Sequence, residues 1–441
     1  VTALPGRRRR ATIVVAVTTV VVFGVAAALT VLGAVTLYNS TEGASRPVPT
    51  DELAFPATPT GVLAAVDDRG NLASIAVLVV QPAGQGGSIV AVPVSADASG
   101  GDGDERLPLA ETVALQGTDR LASELEVTLR LTLDHVEIVD EARLDDLLAP
   151  VGEVIVDLPA EVTDADGDVV ARPGRLRLDP GEMAEILTAR DPDVPAMEQY
   201  PAAAAVWSAV AAAVGDGVGF DGGPPATVAP GDAIDDAGEL FARLIAGPVG
   251  YRSLGARPPD ADDNPRGADV VVLDAAELSL VFGQIAPAAV AAPSAGLSFR
   301  VVSAFGDQQL AASGLTNTEV AYKAISSLLF VGANVRSVST TPDPAVVGER
   351  TVIEVADETL LDDDEAAEVL FGDVTMRVAE RPIAGIDAVV VLGEGYLDLL
   401  QSGQDAPDTI VDAAGTSTFP GPDTGADGPD ATPPITEERD D

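Results

Sequence analysis

One stretch limits what this chain can fold into more than any other. Ala11 to Leu37 (ATIVVAVTTVVVFGVAAALTVLGAVTL) runs 27 residues without a charged side chain, directly after four arginines, Arg7 to Arg10. As a helix it would be about 40 Å long, against roughly 30 Å of membrane hydrocarbon. It is apolar on every face, which suits lipid better than the one-sided burial of a core helix. Arginines before the span and none close after it place the N-terminus in the cytoplasm and the body, from Ser40 onward, outside. A cleaved signal peptide is the competing assignment, but its apolar core normally covers about 7–15 residues. The longer run here, with Tyr38-Asn39 as an interfacial end, favours an uncleaved anchor. The expectation is therefore a cytoplasmic basic segment over 1–10, a transmembrane helix over 11–38, and a linker rich in Ser, Thr and Pro over 39–59.

Composition removes much of the available chemistry. The 441 residues hold 70 Asp+Glu against 25 Lys+Arg, a formal net charge of −45, which repels nucleic acid phosphates. There is no Cys, one His (His135) and one Lys (Lys323). Disulfides, thiolate nucleophiles and zinc knuckles are therefore excluded, as is a two-His metal site. Lys323 follows Tyr322 rather than a glycine, so no phosphate-binding P-loop exists. With 46% hydrophobic residues the chain can nonetheless bury a substantial core.

Beyond the linker, strand-like and helix-like segments alternate, which makes the fold class α/β. The Val/Ile-rich runs Ser74 to Val80 and Ser88 to Val94 read as buried strands, and Asp134 to Val139 and Val154 to Pro159 as two more. Helical spacing covers Leu109 to Glu126, Ala142 to Leu148, Glu182 to Ala189, Ala202 to Val214, Ala237 to Ile245 and Ala275 to Ile285. Val162 to Leu178 reads as a hairpin turning at Asp164 to Asp168. A first domain over 60–286 is expected, then a linker over 287–296 and a smaller domain over 297–400. In the smaller domain a βαβ-like unit is expected from Leu297 to Ala304, Thr318 to Leu329 and Thr351 to Val355, followed by a helix near Glu365 to Leu370 and a strand at Ala388 to Leu392. The segment 401–441 carries ten acids and one Arg, the composition of a disordered acidic tail.

Isolated motifs carry little chemistry. Gly217 to Gly222 matches GxGxxG, but it follows a helix and runs into Pro224-Pro225, so no helix N-terminus receives a pyrophosphate. Asp164 to Asp168 and Asp102-Gly103-Asp104 look like fragments of calcium loops. Six positions beyond Gly167 stands Pro173 rather than the Glu such a loop requires, so a solvated turn is favoured. His135 lies on a strand with no second ligand type beside it, and a structural role is its default.

Several stretches together resemble the LytR-CpsA-Psr (LCP) family. They are Leu133 to Ile138, Ala142 to Leu148, Val151 to Pro159 (VGEVIVDLP) and Leu178 to Arg190 (LDPGEMAEILTAR). The portion ending at Asp387 to Tyr396 is similar to the LytR C-terminal domain. The resemblance implies an α-β-α sandwich with a hydrophobic pocket for a polyprenyl pyrophosphate lipid, and transfer of a glycopolymer from that carrier to peptidoglycan with Mg²⁺. Such chemistry needs guanidinium groups and a metal to neutralise the charge that gathers on the pyrophosphate.

This chain departs from the family at those positions. Asn71-Leu72-Ala73-Ser74 stands where the family has Arg-Ser-Asp-Thr, and Pro93-Val94-Ser95 where it has Pro-Arg-Asp. Thr188 replaces the first of two arginines on the later helix, of which Arg190 remains, and Gln199-Tyr200-Pro201 stands where Arg-Gln-Gln would. Arg190, Arg69 and Asp68 are the remaining candidates for a vestigial substrate pocket, with no catalytic residue or metal ligand assigned. The expectation is a membrane-anchored extracytoplasmic protein of cell-wall biogenesis, a pseudoenzyme that binds lipid or glycan or acts as a scaffold for envelope proteins. The alternative is an active phosphotransferase built on Arg190 and Arg69, with Mg²⁺ as its cofactor.

Overall fold

The structure, a computed structural model, describes residues 53–99, 106–218, 233–291, 296–362 and 364–402. The basic segment 1–10, the apolar span 11–38, most of the linker 39–59, the Asp102 motif, residues 219–222 of the GxGxxG match and the tail from 403 lie outside the described residues. Among the described residues, no helix is long and apolar enough to cross a membrane.

The first sheet contains β1 (Thr60–Val66), β2 (Leu72–Val80), β3 (Gly87–Val92), β4 (His135–Val139) and β9 (Val249–Ser253), in the order β4-β1-β2-β3-β9. β2 runs antiparallel to both neighbours, whereas β1–β4 and β3–β9 are parallel. Burial along β1 and β2 is nearly continuous, because both faces of the sheet are covered. Val62, Ala64, Ile75, Val77 and Val90 face a core shared with α1 (Leu109–Gln116), α2 (Thr118–Leu129) and α7 (Ala275–Ile285). Leu63, Ala65, Ala76, Leu78 and Ile89 face the opposite core, built with α3 (Glu141–Leu148), α4 (Pro180–Thr188), α5 (Ala196–Val214) and α6 (Ala237–Ile245). The result is a three-layer α-β-α sandwich.

Local signals set most element ends. Asp140 and Asp179 cap α3 and α4 through Arg143 N and Glu182 N, and Glu182 returns the bond to Asp179 N in a capping box. The helix expected over Leu109 to Glu126 is two helices, broken where Gly117 takes a positive φ of 76°. The hairpin expected over Val162 to Leu178 is also divided. Only β6 (Val162–Thr163) and β7 (Val169–Ala171) pair across the turn, and β8 (Gly174–Leu178) pairs instead with β5 (Val154–Leu158). The largely exposed edge strand β9 was not legible, since VGYRS lacks the alternation a half-buried strand shows.

The second sheet follows the order β13-β12-β16-β14-β15, formed from β12 (Ser298–Val302), β13 (Asn334–Ser339), β14 (Thr351–Val355), β15 (Val374–Val378) and β16 (Ala388–Val391). It packs on α9 (Asn317–Phe330) and on Phe305, Phe371 and Tyr396. The parallel partner that follows the α9 crossover is β13, not β14 as expected, and β14 pairs with β16 and β15. The polar sequence NVRSVS conceals β13. Helix α7 belongs to both bodies of packing: Leu278, Val281 and Phe282 enter a core of the first sheet, while Ala276 and Leu280 enter that of the second. At residue 53, Leu53 N donates to Pro382 O and Leu53 O accepts from Ala384 N.

Candidate functional site

Asp68, Arg69 and Arg190 line one cavity of about 170 Å³. The β1–β2 turn supplies one wall. There Asp67 Oδ1 accepts from the backbone N of Arg69 and of Asn71, and Gly70 adopts the positive φ (81°) that the turn needs. The β6–β7 turn supplies the facing wall through Asp164, Ala165 and Asp166. Glu141 from the start of α3, Glu185 and Thr188 from α4, and Arg190 just beyond α4 complete the lining.

Charge dominates this cavity. Six carboxylates (Asp67, Asp68, Glu141, Asp164, Asp166, Glu185) face two guanidinium groups (Arg69, Arg190), a lining charge of 2 − 6 = −4. Both arginines are already engaged. Arg69 Nη2 bonds Asp166 Oδ1 at 2.5 Å, and Arg190 Nη1 donates to Leu72 O at 2.6 Å. Burial pushes the Arg190 guanidinium below its usual pKa, against the opposing charges of Asp269, Asp67 and Glu111. Burial likewise raises Glu141, and Glu185, Asp68, Asp145 and Asp140 add repulsion. An entering pyrophosphate would meet like charge.

The positions where the family carries charged residues are filled differently. Leu72 is fully buried and Asn71 Nδ2 is turned onto Asp67 Oδ2. Val94 is 6% exposed within the apolar core and Ser95 is 0% exposed, with no hydrogen-bond partner for its hydroxyl among the described residues. Ser74 Oγ donates to Leu187 O and Thr188 Oγ1 to Ala184 O, so both hydroxyls serve the backbone. Among the described residues, no three acidic or imidazole side chains converge in a way that could hold a metal ion. Asn71, Ala73, Val94 and Ser95, at the positions of the family motifs, offer no carboxylate for the Mg²⁺ that the resemblance implies.

The hollow lined by Ile75, Val92, Val94, Ala196, Tyr200 and Ala203 has a volume of about 10 Å³, room for roughly one water. Between the sheet and α5, Trp207 and Phe241 pack edge to face with centroids 6.3 Å apart. Sequence alone identified both arginines and Asp68. It missed Glu141, which lies outside the quoted motifs, and Glu185, which lies within LDPGEMAEILTAR but was given no role, and it favoured a turn for Asp164 to Asp168.

No family model matches the chain, and neither does any curated protein. Solved structures do. The chain is similar to a LytR-Csp2A-Psr enzyme from Actinomyces oris, with 22% identity over 51% of this chain and 90% of that one, at a TM-score of 0.35. It is similar to B. subtilis TagV, with 14% identity over 52% of this chain and 95% of that one, at 0.37. A structure of TagT bound to LIIa-WTA matches with 17% identity over 51% and 88%, at 0.34. Its structural neighbours are thus LCP proteins. Likeness at this level leaves the chemistry to be argued from the residues.

Proposed function

We infer that this protein is a membrane-anchored, extracytoplasmic LCP-like component of cell-envelope biogenesis that acts as a scaffold rather than as a phosphotransferase. The observation that carries this reading is the charge of the cavity. The two arginines that could neutralise a pyrophosphate are outnumbered by six carboxylates, and each already holds an internal acceptor. Oriented positive groups are the largest catalytic contribution in such transfers, and losing one commonly costs about 3–4 kcal/mol. Here the family's other charged positions hold Asn71, Ala73, Val94, Ser95 and Thr188. The hollow at Ile75, Val92 and Tyr200, with room for roughly one water, favours a scaffold over a lipid carrier. Active transfer is the second reading, favoured by the meeting of Arg69 and Arg190 in one cavity.

Calorimetric titration of the purified chain with inorganic pyrophosphate tests the charge argument. No saturable heat is expected up to about 1 mM, a ceiling of roughly −4 kcal/mol of binding. Saturable binding that disappears in Arg190→Gln would support the transferase instead. The anchor rests on the sequence, Arg7 to Arg10 followed by the apolar span. Protease added to intact cells is expected to degrade the body of the protein, and full protection would refute an outward orientation.

A further inference from the structure

The two turns that wall the cavity are copies of one design. In the first, Asp67 N donates to Asn71 O, Gly70 N donates to Asp67 O, and Asp67 Oδ1 accepts from the backbone N of Arg69 and Asn71. In the second, Asp164 N donates to Asp168 O, Gly167 N donates to Asp164 O, and Asp164 Oδ1 accepts from the backbone N of Asp166 and Asp168. Gly70 and Gly167 share a φ of 81°. Each turn is therefore internally braced.

What differs is how each turn is held to the body. The first joins two long central strands of the sheet, seven and nine residues in length. The second tips a hairpin whose strands are two and three residues long, with only two paired registers and a bulge between them. Besides the packing of Val162, Val170 and Ala171 on the core, that hairpin is fixed by Thr163 Oγ1 donating to Asp191 Oδ2 at 2.9 Å and by the Arg69–Asp166 ion pair at its tip.

Across the gap stand Asp67 and Asp68 on one side and Asp164 and Asp166 on the other, four carboxylates with Arg69 as the cation among them. Behind them Glu141 and Glu185 add the same sign, and Arg190 lies at the base. Without Arg69 the two turns would repel.

We propose that the hairpin Val162–Ala171 is a flap over the cavity and that Arg69 is the pin that holds it closed. Arg69 is thus a gating residue, not a remnant of pyrophosphate binding. Opening the flap exposes the acidic cavity, and the ion pair sets how often it opens. The proposal relies on the functional reading above only in taking this cavity as the site, and its test needs no turnover.

The test is amide hydrogen exchange on the full chain. In Arg69→Gln, exchange across Val162–Ala171 is expected to rise about fivefold, the scale of one exposed ion pair. Exchange in β2 and α5 should stay at the wild-type rate. The charge-swapped variant Arg69→Asp with Asp166→Arg should return the hairpin to within about twofold of wild type, because the pair is rebuilt in reverse. Unchanged exchange in Arg69→Gln would overturn the pin. So would a rise spread evenly over the fold, or a swapped variant as fast as Arg69→Asp alone. Pyrophosphate turnover by the wild type would sink the scaffold reading without touching this result.

Discussion

Arg106→Met is expected to cost about 3 kcal/mol of folding stability, the scale seen when one partner of a buried ion pair is removed. The Arg106 and Asp97 side chains are 9% and 6% exposed and meet at 2.5 Å. Arg106 Nε also donates to Asp263 O, so one guanidinium ties the segment after β3 to the loop near residue 263. Burial by itself would raise the Asp97 carboxyl. Hydrogen bonds from the Ser99 hydroxyl and backbone N, together with Arg106, outweigh it and hold Asp97 below the usual aspartate range. A depressed carboxylate adds stability above its unfolded pKa and loses it as pH falls through the folded value. In Arg106→Met the carboxylate would be buried without its cation and its pKa would rise. The gap between wild type and variant should therefore be full at neutral pH, narrow as pH falls through the variant's raised carboxylate value, and close only below the depressed folded value of the wild type. Urea midpoints at a constant slope would measure the gap. A loss under about 1 kcal/mol would mean that water replaces the guanidinium and that the pair behaves as an exposed one.

Trp207→Ala is expected to cost about 3–5 kcal/mol, the range for truncating a large buried aromatic. Trp207 is 1% exposed on α5, and its ring meets Phe241 of α6 at an interplanar angle of 72°. Its indole N–H is buried without a hydrogen-bond partner among the described residues, so Trp207→Phe sacrifices packing but no bond. The Phe variant should lose about half as much as the Ala variant or less. Equal losses would show that the indole nitrogen, rather than ring volume, carries the effect. Trp207→Ala should also gain affinity for a small apolar probe such as benzene, since an apolar void of this kind stays dry.

Periodicity located β2, β3 and β4 of the first sheet and most helices, because those elements are buried on defined faces, whereas β1 was not read as a strand. Ala275 to Ile285 and Thr351 to Val355 match the observed elements end to end. What escaped was set by tertiary context. β9 and β13 are short and polar in sequence, and become strands because a neighbouring strand offers its edge. The division of 162–178 followed the same rule: β8 found β5 in space, and the local turn kept only five residues of pairing. Arg69, Arg190 and Asp68 were candidates from the sequence, and the fold brings the three to one cavity. The opposing carboxylates came from α3, α4 and the β6–β7 turn, and only the fold brings these together. The acidity noted for the whole chain is therefore also a property of the cavity lining, at the point where a pyrophosphate enzyme would need the opposite sign.

The central claim is that this cavity does not transfer phosphate-linked polymer, and turnover tests it most directly. The purified chain would be incubated with polyprenyl pyrophosphate and Mg²⁺, and released phosphate followed over time. Release no faster than in buffer, and unaltered by Arg190→Ala, is the expected result. Time-dependent release that Arg190→Ala abolishes would contradict the account and establish a rearranged but working transferase.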